Sequence, residues 1–189
     1  MKTKNIKDLM VPRGDYATVR HTATLAEAVT VLVTHRQDKN IKHHHRAVLV
    51  LSDENQVIGK LSMHDIIRAL EPGYGRIKGF DHSRRLGFSQ SFLKSMVMDY
   101  NLWQRPLEDL CQKATHIIVK TIMYTPDEGE YVSIDATLDE AIHQLVVWRH
   151  QSLLVIDENR QVQGVLRLTD VFHEVAERMK PCGNEEIGR

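Results

Sequence analysis

The sequence predicts a mixed α/β protein made of two copies of one β-α-β-β-α unit. Three observations predict it. A block of sequence recurs with fixed spacing. Each copy carries a helix start with capping-box spacing. After each helix come two short apolar runs separated by a polar turn.

Thr24-Leu25-Ala26-Glu27-Ala28-Val29 recurs as Thr137-Leu138-Asp139-Glu140-Ala141-Ile142, 113 positions on, and the same spacing relates Met10 to Met123 and Val19 to Val132. Further along, Val57-Ile58-Gly59-Lys60-Leu61 with Asp65 matches Val162-Gln163-Gly164-Val165-Leu166 with Asp170, now 105 positions apart. The difference of 8 places an insertion in the first copy, within residues 35–46. Fixed-period self-similarity is the mark of a repeated supersecondary unit.

The elements follow in order. A leading strand is expected at 17–20 and 131–134. Thr24 and Thr137 are helix N-caps with Glu27 and Glu140 three residues on, so hydroxyl and carboxylate each satisfy an otherwise orphaned N–H. Leu25, Ala28, Val29 and Leu32, and their counterparts Leu138, Ala141, Ile142 and Leu145, recur at helical spacing. Runs at 47–51 and 153–156, polar turns at 52–56 and 157–161, and runs at 57–61 and 162–166 read as hairpins. Closing helices begin near Met63 and Leu168. A unit this small leaves one apolar sheet face uncovered, so the two copies should bury those faces on each other and leave two equivalent clefts.

Between the copies, residues 73–87 are rich in Gly and basic residues and read as a loop. Phe92, Leu93, Met96, Val97 and Tyr100 suggest an amphipathic helix suited to packing or dimer contact. Pro106 restarts a helix with Leu107, Leu110, Cys111 and Ala114 on one face. The expected division is 1–70 for the first copy, 71–117 for the linker, 118–180 for the second copy and 181–189 for a tail.

The chain of 189 residues balances 25 Lys+Arg against 25 Asp+Glu and is 42% hydrophobic. That composition is globular, and a neutral chain lacks the broad basic face of a general nucleic-acid binder. No run approaches the ~20 apolar residues of a membrane span. The N-terminal stretch lacks the apolar core and cleavage site of a secretory signal, so a cytoplasmic location is expected. No glycine-rich phosphate loop, HExxH or GxSxG motif is present, and no enzymatic activity is expected.

With Asp8-Leu9-Met10 and Thr121-Ile122-Met123 at the unit starts, the Thr-Leu-x-Glu-Ala helix starts, and the stretches Gly59-Lys60-Leu61-Ser62-Met63-His64-Asp65 and Gly164-Val165-Leu166-Arg167-Leu168-Thr169-Asp170, the sequence resembles the CBS-domain family. The resemblance implies a tandem pair (a Bateman module) that dimerises with a second pair. It implies a regulatory module binding AMP, ADP, ATP or a relative such as S-adenosylmethionine between the repeats, and signalling to an effector protein. No cofactor is implied beyond that ligand.

In such a site a carboxylate at a helix start accepts the ribose hydroxyls, and nearby backbone N–H groups and the helix dipole favour phosphate. The first site is expected to use Ser62, His64 and Asp65, with Arg46 before the second strand and Tyr131, Val132 and Ser133 from the opposite repeat. The second is expected to use Arg167, Thr169 and Asp170, with Ala17, Thr18 and Val19 from the opposite repeat and His150. Ser62 and Asp65 also have capping-box spacing, which alone explains their types. Arg167 stands where the family has Ser or Thr. It is suited to grip phosphate, or equally to pair with Asp170 and close the cleft. If the clefts are plugged, the function is that of an interaction protein. His43-His44-His45 reads as a solvated loop. A metal site is the alternative, although adjacent histidines rarely converge on one ion.

Overall fold

The computed structural model describes residues 5–37, 45–71, 73–77, 89–104 and 108–183. In each copy a leading strand, β2 (Thr18–Arg20) or β5 (Tyr131–Ser133), runs into a helix, α2 (Leu25–Gln37) or α8 (Leu138–Trp148). The expected boxes start both helices. Thr24 Oγ1 accepts from Glu27 N–H at 3.2 Å while Thr24 N–H donates to Glu27 Oε2 at 2.6 Å, and Thr137 and Glu140 repeat this at 3.3 and 2.7 Å. These bonds hold both glutamates below the usual carboxylate range.

After the helix the chain returns as β3 (Ala47–Leu51) or β6 (Ser152–Ile156), parallel to the leading strand. It then turns back antiparallel as β4 (Val57–Ser62) or β7 (Val162–Arg167). Asn55 and Arg160 occupy matching left-handed positions in the two turns, with φ of 66° and 59°. The closing helices α3 (Met63–Leu70) and α9 (Leu168–Gly183) start where expected, and α9 continues beyond position 180.

The helices and sheets make a four-layer arrangement, helix–sheet–sheet–helix. Helix α2 covers one face of β2-β3-β4 around Leu25, Ala28, Val48, Val50 and Leu61. Helix α8 covers β5-β6-β7 around Leu138, Ala141, Leu153, Val155 and Leu166. The other two faces meet through Val11, Tyr16, Leu49, Leu154, Val162 and Val165, so the mutual burial expected from the thin units is what the structure has.

The leading segments, however, are exchanged. Helix α1 (Ile6–Leu9) sits in the second unit's core through the fully buried Ile6, and β1 (Val11–Pro12) pairs with β7. Helix α7 (Val119–Ile122) lies in the first unit's core through Val119, and Tyr124 bridges β4 at Lys60. Free strand edges require partners, and each unit supplies the edge of the other. Gly59 and Gly164 permit this approach. A Cβ on Gly164 would lie 2.5 Å from the Val11 carbonyl oxygen, whereas one on Gly59 would lie 2.8 Å from the flexible Met123 Sδ and 2.9 Å from the Tyr124 carbonyl oxygen, a milder overlap with backbone. Gly164→Ala is therefore expected to lower stability by about 2 kcal/mol in urea denaturation, and Gly59→Ala by less. Equal losses would contradict this account.

The linker departs from expectation at its start, where Gly73–Arg76 form a short helix, α4, instead of a loop. The buried Glu71 carboxylate accepts the N–H groups of Gly73 and Trp103, both at 2.8 Å, and pins this turn to the end of α5 (Gln90–Asp99). Along α5 only Met96 is buried, while Phe92, Leu93 and Val97 are exposed. Helix α6 spans Glu108–Ala114, and the expected starter Pro106 and its neighbour Leu107 lie outside the described residues.

Candidate functional site

Strand β4 ends by turning directly into α3. Ser62 Oγ accepts from Asp65 N–H at 3.2 Å, and the Ser62 N–H and hydroxyl both donate to Asp65 Oδ2, at 2.9 and 2.6 Å. The capping reading of this pair is thus realised, and it uses one carboxylate oxygen. Side chains two apart on a strand share a face. Ser62 therefore faces the same way as Lys60, whose β3 neighbour Leu49 lies in the inter-unit core. This places the α3 start at a cleft between the units.

Across that cleft stands the second unit's leading segment. Lys60 Nζ donates to Glu130 Oε1 and lies 5.2 Å over the Tyr124 ring. The Glu130 side chain is 3% exposed and that of Lys60 19%. Burial works to raise the Glu130 carboxyl. Hydrogen bonds from Lys60 and Tyr124, with the charges of Lys60 and His150, outweigh it and hold the group below the usual range. Gln144 Nε2 donates to the carbonyls of Gly129 and Tyr131, at 2.7 and 2.9 Å, fixing this segment. Tyr131 packs on the inter-unit core, Val132 belongs to the second unit's own core, and Ser133 is exposed with its Oγ accepting from Asp135 N–H. His64 and Arg46 are exposed, and the Arg46 carbonyl accepts from Met63 N–H at 2.9 Å.

The symmetry-related cleft is filled differently. Arg167 occupies the place of Ser62, and its guanidinium forks onto Asp170, Nε to Oδ2 at 2.6 Å and Nη2 to Oδ1. Both side chains are 15% exposed or less. Of the two roles open to Arg167, the structure adopts the pairing. Tyr16 is buried nearby, and its hydroxyl is pushed up to about 12 by burial, with Arg167 opposing and Asp170 adding to the shift. Ala17 and Val19 are core residues of the first unit, Thr18 pairs with Leu49, and Thr169 is exposed.

The two histidines need regrouping. His150 stands beside Gly129 and Glu130, at the Asp65 cleft and not with Asp170 as expected. Its equivalent at the Asp170 cleft is His45. His45 is fully buried, packs against Tyr16 with ring centroids 3.9 Å apart and planes tilted by 45°, and donates from Nε2 to the Asp15 carbonyl at 3.1 Å. A solvated loop does not describe it, because entry into β3 carries the ring under Tyr16. His43 and His44 lie outside the described residues. Among the described residues no cluster of three His, Cys, Asp or Glu side chains suits a metal ion.

Sequence reasoning missed Lys60, Glu130 and Tyr16 as cleft residues. The first two had a signal: their repeat equivalents are Val165 and Ala17, so a charged pair stands where the other copy is apolar. A surface groove of about 770 Å³ lies elsewhere, between Ala69 of α3, Asp109, Gln112 and Lys113 of α6, and Ile118 and Thr121 around α7.

The family model for the CBS domain matches the chain twice, at residues 6–72 and 119–177. Solved structures with the same fold include CBSX2 in complex with AMP, at 18% identity over 92% of this chain and 96% of that one, TM-score 0.55. CBSX2 from Arabidopsis thaliana matches at 16% identity over 95% and 99%, TM-score 0.59. The CBS domain of a bacterial CNNM/CorC family Mg2+ transporter in complex with ATP matches at 15% over 92% and 87%, TM-score 0.58. No curated protein sequence matches the chain.

Proposed function

Because the chain belongs to the CBS-domain family, we propose that it is a cytoplasmic regulatory module that binds an adenine nucleotide in the Asp65 cleft. The observation that carries this reading is the position of Asp65. Its carboxylate is fixed at the start of α3 by Ser62, and Ser62 stands on the β4 face turned to the other unit. Ribose hydroxyls would donate to Asp65, and the phosphate would meet the backbone N–H groups and dipole at the helix start. The AMP- and ATP-bound structures of the same fold support the choice of ligand class. The Asp170 cleft is read as closed, since its carboxylate is held at both oxygens by Arg167. Ligand bridging the units favours one relative arrangement of them, and a partner protein reads that population shift. Exposed Val146, Trp148, Phe172 and Met179 on α8 and α9 support a homodimer.

Calorimetric titration with AMP, ADP, ATP and S-adenosylmethionine tests the reading. Asp65→Asn retains a cap acceptor but loses the charge, and should weaken nucleotide binding about 10-fold or more, the worth of hydrogen bonds to a charged group. Asp170→Asn should change it little. Unchanged affinity in Asp65→Asn removes Asp65 from the site.

A further inference from the structure

Resting on that reading, we propose that Lys60 and Glu130 form a latch across the Asp65 cleft, opened when the ligand's phosphate takes Lys60. The pair joins β4 of one unit to the segment before β5 of the other, and both side chains are largely buried. Lys7 and Asp135 also join distant segments, but both are exposed.

The fold does not need charges at these positions. In the symmetry-related cleft the equivalents Val165 and Ala17 are buried at 2% and 3% exposure. Replacing a buried ion pair by apolar residues is often neutral or stabilising, so stability alone does not account for Lys60 and Glu130.

Their position does account for them. Lys60 lies two residues before Ser62 on the same strand face, about 7 Å along the strand. Its four-carbon stem can swing the ammonium toward an anion at the α3 start. His150 Nε2, also at this cleft, is buried with no hydrogen-bond partner among the described residues and is a second donor for that anion. A nucleoside without phosphate leaves the latch closed. A phosphorylated one exchanges the direct bond between units for a bond through the ligand. The phosphate, and not the base, is then what the inter-unit arrangement reports.

Adenosine, AMP and inorganic pyrophosphate are titrated calorimetrically into the wild type, Glu130→Gln, Lys60→Met and the double variant Lys60→Met/Glu130→Gln. Freed from Glu130, Lys60 in Glu130→Gln should bind AMP and pyrophosphate about 10-fold tighter, with adenosine unchanged. Lys60→Met and the double variant should lose the preference for AMP over adenosine. The double variant leaves no buried charge unpaired and answers the question even if Lys60→Met folds poorly. An AMP-to-adenosine ratio constant across all variants overturns the latch and leaves the nucleotide reading standing. Pyrophosphate responses as expected with neither adenosine nor AMP bound would keep the latch and overturn the nucleotide. No binding by any probe overturns both.

Discussion

Replacing Ile6 by alanine is expected to loosen the second unit, although Ile6 lies at the start of the first. Ile6 is fully buried among Val132, Leu138, Ala141, Leu145 and Leu166. Truncation removes most of its buried surface and leaves a cavity, a loss of about 3 kcal/mol. At this chain length that corresponds to a fall in Tm of roughly 10 °C. The location of the damage is the sharper readout. Hydrogen exchange should speed up in α8 and β6, while α2 and β3 retain their protection. Damage confined to α2 and β3 would mean that α1 packs with its own repeat.

Lys60→Met is expected to destabilise the protein at neutral pH by about 3 kcal/mol, the cost of leaving one member of a buried pair charged. The pH dependence gives the sign. In the wild type the folded Glu130 carboxyl is held below its ordinary value, so its contribution is present above the ordinary carboxylate range and is lost as pH falls through the lowered value. Without Lys60, burial dominates and raises the carboxyl. The contribution then reverses: it is favourable below the ordinary range and is lost as pH rises through the raised value. The gap between variant and wild type should therefore widen from about pH 4 to about pH 7, as the carboxyl ionises. Urea denaturation across that range measures it. Parallel curves would show that Glu130 keeps its charge without Lys60. The double variant with Glu130→Gln should restore most of the loss.

The elements that could be read in the sequence are those closed by nearby residues. Thr24 with Glu27 and Thr137 with Glu140 bond across three positions, and the hairpins close through turns at 52–56 and 157–161. Ser62 and Asp65 belong to the same class, which is why both the cap and the candidate site were visible in one tetrapeptide. His45 was misread because its neighbours in sequence are polar, whereas its neighbours in space are Tyr16 and His35. Arg167 showed two possible partners by chemistry. Only the fold, which places both side chains where they are largely buried, selected the fork.

By itself the sequence determined two units, their internal order of elements and the residues at the start of each closing helix. Short-range hydrogen bonds and the periods of helix and strand specify these without reference to the rest of the chain. Only the tertiary structure decided that α1 and β1 serve the second unit and that α7 and Tyr124 serve the first. It alone also decided that Lys60 meets Glu130, a pair separated by 70 positions. The repeats are nearly equivalent, so each leading segment carries a pattern that would suit either unit. The choice falls to the free edges of β4 and β7 and the glycines on them, each of which lies in the unit opposite to the segment that it receives.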